Sequence, residues 1–521
     1  MGRHGLRCRH FMEAVVRRAS FLVSEFGVED LMRVWQGFIR FSRDNRAFYH
    51  SAMPKVRMQV KNLTVPQLIL ALRGARDLQQ SQGFIDLHAA ACAELTLKID
   101  KLSMAQAANC LCHTGFNTKF RTQAQGLVKA VEQTWSETED LTSLRVVEVV
   151  DTLETFTSWG MKPFPLLARL DGLLVDRQVE LKYTGNVSLW VLATQAFSNI
   201  EYLDARWPLV ALELSRDKLF LEKISFFQQC TLIISLAKLR LFDEAAYRNI
   251  AELLLSDMGL FKDMQDLAPV LAAYASVGYF HQQLFGTAYG RMIDWFEAET
   301  LDMKRRDTHG ALVQAAWSFA LAGYHRHFES FAAVLDYAFF ENSVNMRPAT
   351  LKRVAQLADI VLQEAPELAA ACHYSEKVSS TRADPRMRNL LASEPVSDPK
   401  LLQDIRTTLQ ELSWQHETCA FETGSTSAFY VDLSLAPQLG QKVGFMTAGY
   451  LDSVRVGLPD EGLEMREGGT LAVARRVLAS HGWHTAVVAK DEWSRLENVA
   501  QKSDFLNALV RKAMEDPPVA S

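Results

Sequence analysis

The chain has 521 residues, 48% hydrophobic and 22% charged, with a formal net charge of −5. Its length exceeds one ordinary domain, its balance is that of a globular protein, and no apolar run is long enough for a membrane-spanning helix. Seven cysteines (Cys8, Cys92, Cys110, Cys112, Cys230, Cys372, Cys419) are scattered. Only Cys110 and Cys112 lie close, and their C-x-C has no second half. This argues against a zinc site or disulfide scaffold and for small buried side chains in a reducing compartment.

The first 60 residues carry eleven Lys/Arg against five Asp/Glu, a local excess of +6 that leaves −11 for the remainder. The start, "MGRHGLRCRHFMEAVVRRASFLVSEF", mixes arginines with Leu6, Phe11, Val15 and Val16 and has a single acid, Glu13, in its first 20 residues. An Arg-rich, acid-poor amphipathic beginning reads as an organelle-targeting segment over 1–30, with a retained basic helix or an RNA-binding arm as the alternatives.

Residues 31–373 read as an α-helical repeat domain. "VPQLILALRGARDL", "AQAANCLCHTGF", "RVVEVVDTLETFTSWG", "LWVLATQAFSNIEYL", "CTLIISLAKLRLF", "LAPVLAAYASVGYF" and "ALVQAAWSFALAGYHRHF" share one plan. Apolar and small residues recur at i, i+3, i+4 and i+7, then a turn residue, then a large apolar one. The last falls at Phe116, Met161, Tyr202, Phe242, Tyr279 and Tyr324, spaced by 45, 41, 40, 37 and 45. Gly115, Gly160, Gly278 and Gly323 precede four of them, where a helix would end. A drifting period near 40 predicts a solenoid of helical hairpins, with an irregular helical bundle as the alternative. The aromatics are expected to pack between repeats. Within this region "MKRRD" (Met303–Asp307) is a short basic cluster whose Lys304, Arg305 and Arg306 are candidate phosphate contacts. His325 and His327 have no further ligand nearby.

Residues 374–416 read as a linker and connecting helix. The linker holds Pro385, Pro395 and Pro399, with a basic face from Arg382, Arg386 and Arg388; "KLLQDIRTTLQEL" follows as the helix. After Glu417 the period changes. "AFYVDLSLA", "QKVGFMTAG" and "DSVRVGL" read as strands, "TLAVARRVLAS" as an amphipathic helix ending at Gly482, "WHTAVVAK" as a buried strand, and 491–512 as final helices. This order predicts a small α/β layer over 417–521.

Residues 429–509 resemble a RAP domain through "YVDLSLA", "VRVGLP", "ARRVLASHGWHTAVVAKDEW" and "KSDFLNALV". The resemblance implies a fold similar to restriction-endonuclease-like nucleases, closing an organelle-targeted chain whose upstream part is a heptatricopeptide-like helical array. It also implies work on organellar RNA. Where the family has an Asp-Gly-Pro turn, this chain has Gly457 in place of the Asp. Asp432 matches one acidic position of the family, and Asp460 and Glu464 are merely near the other. Metal-dependent cleavage needs converging carboxylates, so no catalytic residue, metal, cofactor or small-molecule substrate is expected. Asp432 reads instead as a carboxylate bonded to local backbone.

The module is not globally basic, with ten Lys/Arg against twelve Asp/Glu over 425–521. Arg475, Arg476, Lys490, Lys502, Arg511 and Lys512, joined by Arg386 and Arg388, are the candidate RNA contacts, a solvated mixed surface being the alternative. Trp483 and Trp493 are expected in packing, and His481 and His484 at the surface or at a helix cap. No P-loop, G-x-G-x-x-G or G-x-S-x-G is present. The expectation is therefore a non-catalytic, RNA-associated component of a mitochondrial ribonucleoprotein, most concretely a ribosomal subunit touching rRNA and protein neighbours. A plastid location, a free organellar RNA-binding factor and a scaffold without RNA contact are the alternatives.

Overall fold

In a computed structural model the chain forms two compact units, Met1–Val210 and Ala211–Ser521. The structure describes residues 9–41, 46–77, 82–114, 118–179, 187–297, 306–324, 331–332, 334–336, 347–373, 376, 399–412, 414, 416–418, 429, 431–435, 442–448, 453–458, 462 and 464–515.

The first unit is helical among its described residues: α1 (Arg9–Phe21), α2 (Val28–Phe41), α3 (Arg46–Met58), α4 (Val65–Asp77), α5 (Gln82–Leu97), α6 (Met104–Cys112), α7 (Thr118–Glu137), α8 (Val146–Ser158), α9 (Phe164–Asp176) and α10 (Val187–Asn199), with α11 (Trp207–Leu214) running across the boundary at Val210. Helices two apart in order pack together: α2, α4, α6, α8 and α10 form one row, and α1, α3, α5, α7 and α9 another. Each row buries the apolar stripe the helices present at 3.6-residue spacing, for example Leu68, Leu72 and Ala75 in α4 and Val149, Val150, Leu153 and Phe156 in α8.

The second unit begins with α12 (Lys218–Leu221), α13 (Phe226–Lys238), the two-residue strand β1 (Leu241–Phe242), α14 (Glu244–Ser256), α15 (Met264–Ser276), α16 (Gln282–Glu297), α17 (Arg306–Leu321), α18 (Pro348–Glu364) and α19 (Pro366–Ala371). Here α13, α15, α17 and α18 pack in succession, as do α14 and α16. The module follows as α20 (Pro399–Glu411), β2 (His416–Thr418), β3 (Leu433–Leu435), β4 (Lys442–Ala448), β5 (Ser453–Val456), β6 (Glu464–Glu467), α21 (Gly469–Ser480), β7 (Trp483–Ala489), α22 (Lys490–Ser494) and α23 (Val499–Glu515). The expectation of a mostly helical chain with a small C-terminal strand region holds.

Helix ends follow a recurring local chemistry. Gly160, Gly278 and Gly323 sit at φ +65°, +68° and +84°, and at the matching positions Glu201 and Arg240 adopt φ 55° and 57° despite their side chains. The amides of Met161, Tyr202 and Tyr279 reach back to the carbonyls of Phe156, Phe197 and Tyr274, which closes each helix in a Schellman turn. The large residue that follows packs against an earlier helix or strand as well as its own: Tyr202 lies 5.7 Å from Phe164, Tyr279 5.3 Å from Phe242 and Tyr324 5.5 Å from Tyr289, between ring centroids. Gly115 and Phe116 lie outside the described residues, as do His325 and His327.

A second recurring local motif had no counterpart in the sequence reading. The backbone N–H of Thr64 donates to Gln67, that of Ser103 to Gln106, that of Arg145 to Glu148 and that of Ser225 to Gln228, just before α4, α6, α8 and α13. These are reciprocal or half capping boxes, which satisfy amides that the helix itself leaves open.

The loop between helix pairs is then stapled by a long side chain from about 30 to 37 residues later. Lys55 Nζ donates to the carbonyls of Val23 (3.2 Å), Ser24 (3.0 Å) and Phe26 (2.6 Å), and Lys98 Nζ to those of Lys61 (3.3 Å) and Leu63 (3.0 Å). Arg177 reaches the carbonyls of Thr142 and Leu144, and Arg291 those of Gly259 (3.4 Å) and Phe261 (3.0 Å). These cations gather carbonyls that no helix or sheet ladder pairs.

Cys92, Cys110 and Cys372 are buried, and Cys112 and Cys230 half-buried. Burial, with the neighbouring Cys112 second, pushes the Cys110 thiol up to about 12. Among the described residues no group of three His, Cys, Asp or Glu could hold a metal ion, and no helix is long and apolar enough to cross a membrane.

The staples generate a prediction. Lys55→Met keeps the aliphatic stem but strips three carbonyls of their charged donor, and should cost about 1–3 kcal/mol. Arg33→Met, whose guanidinium is 74% exposed beside Glu29 and Asp30, should change stability by no more than about 0.5 kcal/mol. The midpoint of the first urea transition distinguishes the two.

Candidate functional site

The module's four-stranded sheet runs β2-β3-β4-β7, with β4 and β7 parallel from Lys442↔Trp483 to Ala448↔Ala489. Alternation along β7 sends Ala486 and Val488 into a core with Leu401, Ile405 and Leu409 of α20 and Leu506 of α23. On the other face Thr485 meets Arg475 of α21. One sequence expectation needs correction. "DSVRVGL" does form a strand, β5, but it leaves this sheet. It pairs antiparallel with β6 and parallel with β1 of the helical part, at Leu241↔Arg455 and Phe242↔Val456. β3 and β7 flank β4 on both sides, so β5 cannot pair beside the strand it follows, and its edge is satisfied instead at Leu241–Phe242.

This strand addition is reinforced by close contacts. Arg455 donates to the Leu239 carbonyl at 3.1 Å, and Arg466 donates to the Val277 carbonyl at 2.7 Å with its guanidinium 4.5 Å from the Phe242 ring centroid. Gly469, first residue of α21, lies so near α15 that a Cβ there would sit 1.9 Å from the Ala275 carbonyl oxygen. Arg476 of α21 pairs at 2.6 Å with Glu364 of α18, whose side chain is only 4% exposed. The module is thus keyed into the helices of its own unit.

The residues behind the resemblance assemble into a clamp. Asp404 on α20 accepts from Trp493 Nε1 at 2.7 Å and from Lys502 Nζ at 2.6 Å, and Lys502 also lies 5.1 Å from the Trp493 ring centroid. Trp493 and Trp483 are buried, as expected. Burial works to raise the Asp404 carboxyl, but Lys502 and Trp493 outweigh it and hold the group below its ordinary value. His484 Nδ1 lies 3.0 Å from the Ala513 carbonyl, and His481 stands at the C-terminal cap of α21. Asp432 accepts from the backbone N–H (2.6 Å) and hydroxyl (2.8 Å) of Thr447. Gly457 adopts φ +88°, a left-handed turn conformation that an Asp would adopt only with strain. Asp460 lies outside the described residues, and Glu464 is exposed on β6.

The candidate site is a cleft of about 640 Å³ walled by β6, Arg475, the β7 face, α22 and α23. Its charged lining is balanced: Glu464, Glu467, Asp491 and Glu492 against Arg466, Arg475, Arg495 and Lys512. Two of the four cations are engaged within the protein, Arg475 with Glu467 at 2.7 Å and Arg466 with Val277 and Phe242. Arg495 and Lys512 are exposed and make no ion pair among the described residues.

The sequence candidates therefore scatter. Arg475, Arg476 and Lys502 are tied to Glu467, Glu364 and Asp404; Lys490 is half-buried at the start of α22; Arg511 and Lys512 are exposed on α23. Lys304, Arg305, Arg386 and Arg388 lie outside the described residues, and Arg306 opens α17. Asp404, Arg455, Arg466 and Arg495 were missed. Asp404 sits on a helix read only as a connector and Arg466 on an unanticipated strand. Compared with known proteins, the chain matches no family model and no curated protein.

Two outcomes are expected. Gly469→Ala should force α21 off α15 and expose the module to limited proteolysis, whereas Gly259→Ala, with nothing within 4 Å of the added carbon, should not. Because the folded Asp404 carboxyl is depressed, its contribution is present above the ordinary aspartate value near pH 4 and fades as pH falls through the folded one. Asp404→Asn should flatten that part of the acid limb in a stability-versus-pH series.

Proposed function

We propose that this chain is a non-catalytic, RNA-associated structural component of an organellar ribonucleoprotein, with a mitochondrial ribosomal subunit as the concrete case. The reading rests on the RAP-like residues of 429–509 and on a helical-hairpin solenoid as the form of the helical part. The observation that carries it is the use of the module's cations. Arg455, Arg466, Arg475, Arg476 and Lys502 hold the protein together, and Arg495, Arg511 and Lys512 remain exposed around α22 and α23. A surface with so few available cations suits a subunit held by protein neighbours that touches rRNA at a few phosphates. Asp432, engaged by Thr447, supports a non-catalytic role.

Neutralising about three phosphates gives a salt slope of only about −2 to −3, too shallow for a free factor relying on its own charge. The balanced cleft and the acidic remainder of the chain favour, as a second reading, a scaffold without RNA contact.

Gradient sedimentation of mitochondrial lysate with and without RNase separates these readings. Migration with a ribosomal subunit that collapses under RNase is the expected result. A small species in both lanes would refute the subunit. Replacing Arg495, Arg511 and Lys512 together by Glu should reduce RNA cross-linking at least several-fold, while Asp432→Ala leaves it unchanged; no cross-linked RNA from the wild type would favour the scaffold.

A further inference from the structure

β7 is an edge strand: it pairs with β4, and no strand lies beyond it among the described residues. The register tells which of its backbone groups that edge leaves over. β4 turns the backbone of Phe445 and Thr447 toward β3, where the Phe445 carbonyl accepts from the Asp432 N–H at 2.8 Å and the Thr447 N–H donates to the Asp432 carboxylate at 2.6 Å. Alternation then turns Gly444 and Met446 toward β7. In a parallel ladder each such residue bonds to the two neighbours of its partner. With Gly444↔Thr485 and Met446↔Val487 as partners, those neighbours are His484, Ala486 and Val488. The N–H and C=O of Thr485 and Val487 therefore point away from the sheet, and they meet no other backbone partner among the described residues.

These groups open into the cleft of about 640 Å³ that Thr485, Val487 and Ala489 line. Another of its walls is β6, itself the edge of the sheet β1-β5-β6. Arg475 spans the two edges, donating to Glu467 of β6 at 2.7 Å and to the Thr485 hydroxyl at 3.4 Å. α22 and α23 supply further walls, so the edge of β7 is recessed between helices.

We propose that this cleft takes up an extended peptide segment of a partner protein, which adds as a strand to the free edge of β7. Successive same-side residues of an extended chain present their N–H and C=O groups about 6.6 Å apart, the spacing that Thr485 and Val487 offer. The module uses the same device within its own unit, where β5 adds to Leu241–Phe242. Two copies of a recessed edge cannot meet, whereas a single strand can enter. The charged lining balances, so it gives a polyanion no net attraction. The inference stands whether or not the chain touches RNA elsewhere.

The probe is a labelled synthetic peptide, Lys-Thr-Val-Thr-Val-Thr-Glu, titrated into the full chain beside a twin N-methylated at every Thr and Val. An oligouridine is run in parallel, and amide hydrogen exchange is read residue by residue. In the free chain the amides of Thr485 and Val487 should exchange at least about tenfold faster than those of Ala486 and Val488, and saturating peptide should slow them by about tenfold or more. The methylated twin should bind at least about tenfold more weakly. Val487→Pro, which removes an outward N–H and leaves the β4 ladder its donors, should also weaken binding several-fold. The twin leaves the protein unaltered, so its result decides the matter even where that variant does not fold. Equal affinity for both peptides, no binding of the unmethylated one, or Thr485 and Val487 already protected in the free chain would overturn the proposal. Protection by the oligouridine and not by the peptide would overturn it in favour of RNA, and protection that grows with protein concentration alone in favour of a second copy.

Discussion

The loop between two helices carries carbonyls that neither helix pairs, and a chain built from many short helices meets that problem repeatedly. In this protein the solution is a cation reaching across from a later helix. Lys55, Lys98, Arg177 and Arg291 each bring positive charge to carbonyls in the preceding loop, from about one pair further on. Because one long side chain serves two or three carbonyls, a single residue sets the spacing between successive pairs. The αL turns at Gly160, Glu201, Arg240, Gly278 and Gly323 then aim the chain back for the next helix.

That arrangement shapes what the surface can do. A count of Lys and Arg suggests ample positive charge, yet many of these groups face the protein's own carbonyls and carboxylates. The same holds in the C-terminal module, where Arg455 and Arg466 join it to helices of its unit and Lys502 closes a clamp with Trp493 and Asp404. Positive charge available to a polyanion is consequently smaller than composition implies; within the module Arg495, Arg511 and Lys512 are exposed.

The module is anchored to the helices of its own unit. Its hairpin β5–β6 lies outside its own sheet and takes Leu241–Phe242 as a third strand, while Gly469 allows backbone to approach Ala275 at a distance no other residue permits. Strand pairing supplies direction and register, and the glycine supplies proximity. The connecting segment before α20 can therefore vary in length without changing where the module sits.

The amino-acid sequence by itself determined what local physics controls: the helices from their 3.6-residue apolar stripes, their ends from Gly160, Gly278 and Gly323, the strands β4 and β7 from their β-rich runs, and the burial of Trp483 and Trp493. A capping-box scan for Thr64, Ser103 and Ser225 with Gln three residues later would have marked the starts of these helices more sharply than the aromatics marked their ends. Only the tertiary structure decided which partner each charge meets. Arg476 with Glu364, Asp404 with Lys502 and Arg455 with Leu239 are pairings across roughly one hundred to two hundred residues of chain. Periodicity carries no information about such pairings, because an arginine on a helix face reads the same whether it faces solvent, a buried carboxylate or a neighbouring carbonyl. The placement of β5 was equally hidden, since a strand's own residues specify that it will pair but not which edge will be free to receive it.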